Sequence, residues 1–80
     1  MLKEKKTILK GLQDAALFDD ELTFVDLGGG VFAWRVDGYT GPPIETAGEG
    51  PQEYFFAAVD ALREMVKAGQ LGARRRANNL

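Results

Sequence analysis

The 80-residue chain contains no cysteine, no histidine and no serine. Without cysteine there are no disulfides and no thiolate metal ligands, which fits a reducing compartment. Without histidine the chain lacks the commonest general base and the commonest metal ligand. A nucleophile would have to be a threonine, lysine, tyrosine or carboxylate with no evident base beside it, so enzymatic activity is not expected. Long apolar runs are missing too. Lys10, Gln13 and Asp14 interrupt the segment after the lysine-rich start, so neither a signal peptide nor a membrane span is expected, and a cytoplasmic location is the default.

Cations are nearly missing from the middle of the chain. Residues 11–60 carry Asp14, Asp19, Asp20, Glu21, Asp26, Asp37, Glu45, Glu49, Glu53 and Asp60 against Arg35 alone, a net charge of −9. The first ten residues, with Lys3, Lys5, Lys6 and Lys10 against Glu4, are +3, and the last twenty, with Arg63, Lys67, Arg74, Arg75 and Arg76 against Glu64, are +4. The overall −2 conceals this sorting. Segregated charge decides which macromolecules a small protein attracts or repels, while leaving its fold undetermined.

Eighty residues make one domain, and a domain this small buries only about 60% of the surface its unfolded chain exposes. There is no room for a deep pocket. A composition 45% hydrophobic and 28% charged is that of a globular protein rather than a disordered one. Ile8, Leu9, Leu12, Ala15 and Ala16 recur at spacings of three and four, which predicts a helix over residues 3–18. The β-rich run at 22–27, the glycines Gly28, Gly29 and Gly30, and a second β-rich run at 31–36 predict a hairpin. Pairing Leu27 with Val31 sets Phe24 against Trp34, Leu22 against Val36, Thr23 against Arg35 and Val25 against Ala33. That register puts the large apolar groups on one face of the sheet.

Asp37 and Gly38 form a turn dipeptide, and a short third strand is expected at 44–47, after Pro42 and Pro43. Pro51 opens a second helix with the apolar stripe Phe55, Ala58, Val59, Leu62, Met65 and Val66, and Gly69 ends it. The expected architecture is an α+β single domain over 1–71: helix, three-stranded antiparallel sheet, helix, with both helices on one sheet face. Residues 72–80 read as a basic tail.

No constellation of reactive groups emerges. The triple glycine lacks the lysine, hydroxyl residue and following helix of a phosphate loop and is read as a turn. The cluster Asp19, Asp20, Glu21 lacks the ligand spacing of a calcium loop, so no metal and no cofactor are expected. Trp34 is read as the centre of the sheet's packing. Phe56 shares a helical face with Asp60, Arg63 and Lys67, opposite the stripe, and is read as exposed. Tyr39 either presents an aromatic ring to a partner or packs on Pro42 and Pro43.

The order helix, three strands, helix resembles that of the double-stranded-RNA-binding domain, as does the step from a loop with Gly48 and Gly50 into a helix with Ala57, Ala58, Ala61 and Leu62. In that family, lysines at the start of the second helix straddle RNA phosphates. Here Pro51, Gln52 and Glu53 stand there, preceded by Glu49, so the same surface would repel phosphate.

The favoured reading is a protein-binding module whose acidic surface meets a basic, nucleic-acid-binding protein. In format and charge it is similar to the small inhibitors and adaptors of phages and mobile elements, including anti-CRISPR proteins. Glu45, Glu49, Glu53 and Asp60 supply the charge, with Phe56 and Tyr39 as apolar anchors. The alternative is nucleic-acid binding through Lys3, Lys5, Lys6, Lys10, Arg74, Arg75 and Arg76. A third reading is a homodimer formed through the sheet face bearing Thr23, Val25, Ala33 and Arg35.

Overall fold

The computed structural model describes residues 2–15, 18, 21–45 and 50–72. Helix α1 (Leu2–Asp14) is followed by strands β1 (Leu22–Gly28), β2 (Val31–Val36) and β3 (Tyr39–Thr40), then helix α2 (Pro51–Lys67). The strands form one antiparallel sheet in the order β1-β2-β3, so the fold is the small α+β domain the sequence predicts.

The hairpin register agrees with expectation at Leu22↔Val36, Thr23↔Arg35, Phe24↔Trp34 and Val25↔Ala33. It departs at the tip, where Val31 pairs with Gly28 rather than with Leu27. Leu27 is extruded as a bulge and is 48% exposed. The cause is turn chemistry: Gly29 and Gly30 have φ of 64° and 78°. Positive values at both central residues are what a two-residue hairpin turn of the favoured twist requires, so one strand must absorb an extra residue.

The third strand lies earlier than the sequence predicts. Asp37 (φ 51°) and Gly38 (φ 85°) make a second tight turn, and it sets Tyr39 directly opposite Val36 and Thr40 opposite Arg35. Gly41 N–H donates to the Trp34 carbonyl and Ile44 N–H to that of Phe32, both at 2.8 Å. Pro42 and Pro43 therefore stand opposite the single residue Ala33. Having no N–H, they break the ladder after two residues, and Ile44 resumes it as an isolated bridge.

The core lies between one sheet face and the two helices. Leu22, Phe32, Trp34, Val36 and Ile44 meet Leu9 and Leu12 of α1 and Tyr54, Ala58, Ala61, Leu62 and Met65 of α2. Trp34, 0% exposed, is central. Its indole N–H donates to the Ala58 carbonyl of α2 at 3.0 Å, and Phe24 meets its ring edge-on at 6.2 Å. Gly41 lets the chain pass under α2, for a Cβ there would stand 2.5 Å from Met65 Sδ.

Both helices depart in detail from the expected pattern. Helix α1 stops at Asp14 rather than 18, and Ala15, expected on its buried face, is exposed. In α2 the buried stripe begins at Tyr54, and Phe55, expected to be buried, is 41% exposed. Helix α2 has Gly50 as N-cap, with no side-chain cap, and Pro51 in its first turn. Its end is closed as the sequence predicts at Gly69 (φ 76°): Gln70 N–H donates to Met65 O at 2.9 Å and Gly69 N–H to Val66 O at 3.0 Å. This paired closure lets Leu71 turn back into the core.

Candidate protein-binding surface

None of the described charged residues is buried, and Lys5 alone among them is partly covered. The described acids are spread over the molecule. Asp26 is beside the Gly29-Gly30 tip, where its Oδ1 accepts the Gly28 N–H at 2.8 Å, while Asp37 occupies the turn at the other end of β2. Among the described residues two carboxylates already have cations: Asp14 with Lys10 at 3.1 Å and Asp60 with Arg63 at 4.0 Å. Each pair joins exposed neighbours within its own helix, α1 and α2 respectively, and adds little stability.

The residues expected to contact a partner do not converge on one spot. Tyr39, 37% exposed, is opposite Val36, whereas Glu45 follows Ile44, which is opposite Phe32. Four residues of β2 separate these positions, or about 13 Å. Glu53 and Asp60 are exposed on α2, near Phe56 in the helix. Glu49 lies outside the described residues.

Among the cations of the alternative reading, Lys5 is committed inside the fold. Its Nζ donates to the Gly30 carbonyl at 3.2 Å and stands 5.3 Å from the centre of the Tyr54 ring. Lys3, Lys6 and Lys10 are exposed at spacings of three and four on the outer side of α1. Arg74, Arg75 and Arg76 lie outside the described residues. On the far sheet face, Thr23 and Arg35 are exposed but Ala33 is fully buried. That face has less open apolar area than its sequence suggests.

The most distinctive surface runs along one flank of α2. Phe55 and Phe56 are 41% and 54% exposed and form an edge-to-face pair with centroids 5.8 Å apart. One turn further on, an apolar groove of about 340 Å³ opens between α1 and α2, lined by Leu12, Phe18, Val59, Leu62 and Val66 and rimmed by Arg63 and Lys67. Phe56, Val59, Arg63 and Val66 follow one another at alternating steps of three and four, the spacing with which a helix presents one seam to a neighbouring helix. Phe56 was legible as exposed; Phe55 and the groove were not. The signal was an apolar arc on α2 too wide for one stripe, since Tyr54, Ala58 and Met65 already cover the sheet.

Among the described residues no three carboxylates gather to hold a metal ion. The Tyr54 hydroxyl, enclosed by the core, has no hydrogen-bond partner among the described residues, and burial raises its pKa above 10.0. Among the described residues no helix is long and apolar enough to cross a membrane. No family model matches the chain, and neither a curated protein nor a solved structure is significantly similar to it.

Proposed function

We propose that this is a non-enzymatic protein-binding module of the small inhibitor or adaptor kind, which engages its partner along the outer flank of α2. The observation that carries the reading is the exposed pair Phe55 and Phe56, continuous with the groove at Val59 and Val66. Large aromatic groups held on a rigid helix beside a groove are the usual anchors of protein interfaces. An 80-residue chain gains nothing in its own fold from leaving two phenylalanines in water.

Charge sets the kind of partner. Glu53 and Asp60 flank Phe56, and Glu45 is exposed after Ile44. With the net −9 of residues 11–60, they would steer the chain toward a basic protein, such as one that binds nucleic acid.

A photo-crosslinking phenylalanine analogue at position 56 tests this directly. It is expected to capture a basic protein from a lysate at low salt and to lose it as salt rises from about 50 to about 300 mM. The purified partner should then bind the wild type, bind Phe56→Ser at least about tenfold more weakly, and be weakened by Glu53→Lys. If nothing is captured, or if capture ignores Phe56, the reading fails. Binding of labelled duplex or single-stranded nucleic acid that is lost on changing Lys3, Lys6 and Lys10 to glutamate would favour the alternative.

A further inference from the structure

We infer that the α2 flank is self-complementary and that a second copy of this chain docks on it, α2 against α2, antiparallel about a two-fold axis. The inference rests on reading this flank as a protein-binding surface and goes beyond it: a second copy covers the flank in the free protein and gives way when the basic partner binds. Along α2 the acids Glu53 and Asp60 precede the cations Arg63 and Lys67. Glu64 interrupts this order but lies farther round the helix, about 120° from the mean direction of the seam against about 80° for Asp60 and about 100° for Glu53. A surface that runs from negative to positive is matched by its own reverse, and a two-fold axis supplies that reverse at no cost in new sequence.

The register follows from the spacing. With the axis passing the helix between Asp60 and Leu62, Phe56 falls opposite Val66 of the second copy, Val59 opposite its Arg63, and each relation is repeated by symmetry. The exposed phenylalanine then enters the apolar groove lined by Leu12, Phe18, Val59, Leu62 and Val66. Arg63, whose intrahelical partner Asp60 is at the limiting distance of 4.0 Å, lays its stem across the seam and brings its guanidinium to Asp60 of the second copy. Lys67 comes level with Phe55 of the second copy, two residues or about 3 Å along the axis from its Glu53 and within reach of it. Four opposite-sign contacts form where a parallel arrangement would set like charges together.

The helix has 17 residues and is about 25 Å long. A contact of that length falls at the small end of specific interfaces, below about 1,200 Å², so a dimer with a Kd of about 10 to 100 µM is expected.

Sedimentation of the full chain alone, from about 10 µM to about 1 mM, tests the inference. The wild type should pass from monomer to dimer. Asp60→Arg sets four cations across the axis and Arg63→Asp sets four anions, so each variant alone should stay monomeric. An equimolar mixture of the two should dimerise again, which an effect confined to one helix cannot produce. Phe56→Ser should raise the Kd at least about tenfold, and, being an exposed change, it reads the same surface should a charge variant fail to fold by circular dichroism. A wild type that stays monomeric throughout, or a dimer untouched by these changes and broken instead by Val25→Glu on the sheet face, would overturn the inference. A monomer whose Phe56 still captures a basic protein removes the second copy and leaves the proposed function intact; a dimer that captures nothing does the reverse.

Discussion

The two flanks of α2 are made of the same kind of residue and have opposite fates. The inner one carries Tyr54, Ala58, Ala61, Leu62 and Met65, all buried, and is tied to the sheet by the Trp34 indole at the Ala58 carbonyl. The outer one carries Phe55, Phe56, Val59 and Val66, of which the two phenylalanines are exposed. The small Ala58 lets the helix sit close enough for its carbonyl to take the Trp34 indole N–H, Tyr54 and Met65 fill the space around it, and Phe55 and Phe56 are left outside. Neither apolar content nor side-chain size therefore distinguishes core from surface here; the direction in which each position of the helix faces Trp34 does.

The comparison breaks most completely at Trp34. Trp34→Ala should cost about 3 to 5 kcal/mol through cavity formation and loss of the indole bond, comparable with the whole stability of a domain this size, about 4 to 12 kcal/mol. Urea unfolding should show a midpoint far below that of the wild type. A variant retaining most of the wild-type midpoint would mean that Trp34 does not organise the inner flank. Gly41→Ala attacks the same flank from the sheet side. Its methyl would stand 2.5 Å from Met65 Sδ and 3.0 Å from Met65 Cγ. The fully buried Met65 must shift, and a loss of about 1 to 3 kcal/mol is expected. In Met65→Ala, where that obstacle is gone, the same glycine change should add little further loss, a coupling that a double-mutant cycle reads.

How far these roles could be read in the sequence follows from the range of the forces involved. The β1-β2 register, the burial of Trp34, the start of α2 at Pro51 and its closure at Gly69 depend on alternation or on local backbone chemistry, and each was legible. Three features were not. The strand at Tyr39–Thr40 was hidden because Asp37-Gly38 was read as a turn without drawing its consequence, that a two-residue turn begins the next strand at once. The bulge at Leu27 was hidden because three glycines offer more than one loop length. The rotation of α2 that buries Tyr54 and exposes Phe55 depends on which flank fits over Trp34, a tertiary matter that a helical wheel leaves open when the apolar arc is wide. Of the expected contact residues, Phe56, Glu53 and Asp60 are neighbours because they share one helix. Tyr39 was grouped with them by residue type alone, and topology puts it about 13 Å along the sheet from the position of Ile44.

Tyr54 sharpens the comparison in the stabilising direction. Its ring is buried in the inner flank while its hydroxyl has no partner among the described residues, so the fold carries a desolvated polar group. Tyr54→Phe should raise stability at neutral pH by about 1 kcal/mol. The pH dependence has a definite sign. Burial raises the folded-state pKa above the 10.0 of the exposed phenol, so the folded form holds its proton where the unfolded form has lost it. The stability linked to this group is complete below pH 10, and it declines as pH rises from there through the folded value. Tyr54→Phe should lack that part of the alkaline decline. Urea midpoints from pH 8 to 11 check both points, and equal declines in the two proteins would remove Tyr54 as their source.

The smallest expected effect tests the comparison most directly, because it concerns what the outer flank does not do. Phenylalanine and serine have similar helix propensities, so Phe56→Ser changes apolar surface with little change in backbone preference. Phe56 is more than half exposed, and its edge-to-face contact with Phe55 is itself at the surface. Its removal from a dilute monomer should therefore shift stability by no more than about 0.5 kcal/mol, against the several kilocalories expected at Trp34. Thermal unfolding at low protein concentration measures this. A loss of about 2 kcal/mol or more would show that Phe56 supports the fold, and the flank would then have no surplus apolar surface to offer a partner. A neutral result leaves the exposed ring as apolar surface the fold does not use, the condition that the proposed binding role requires.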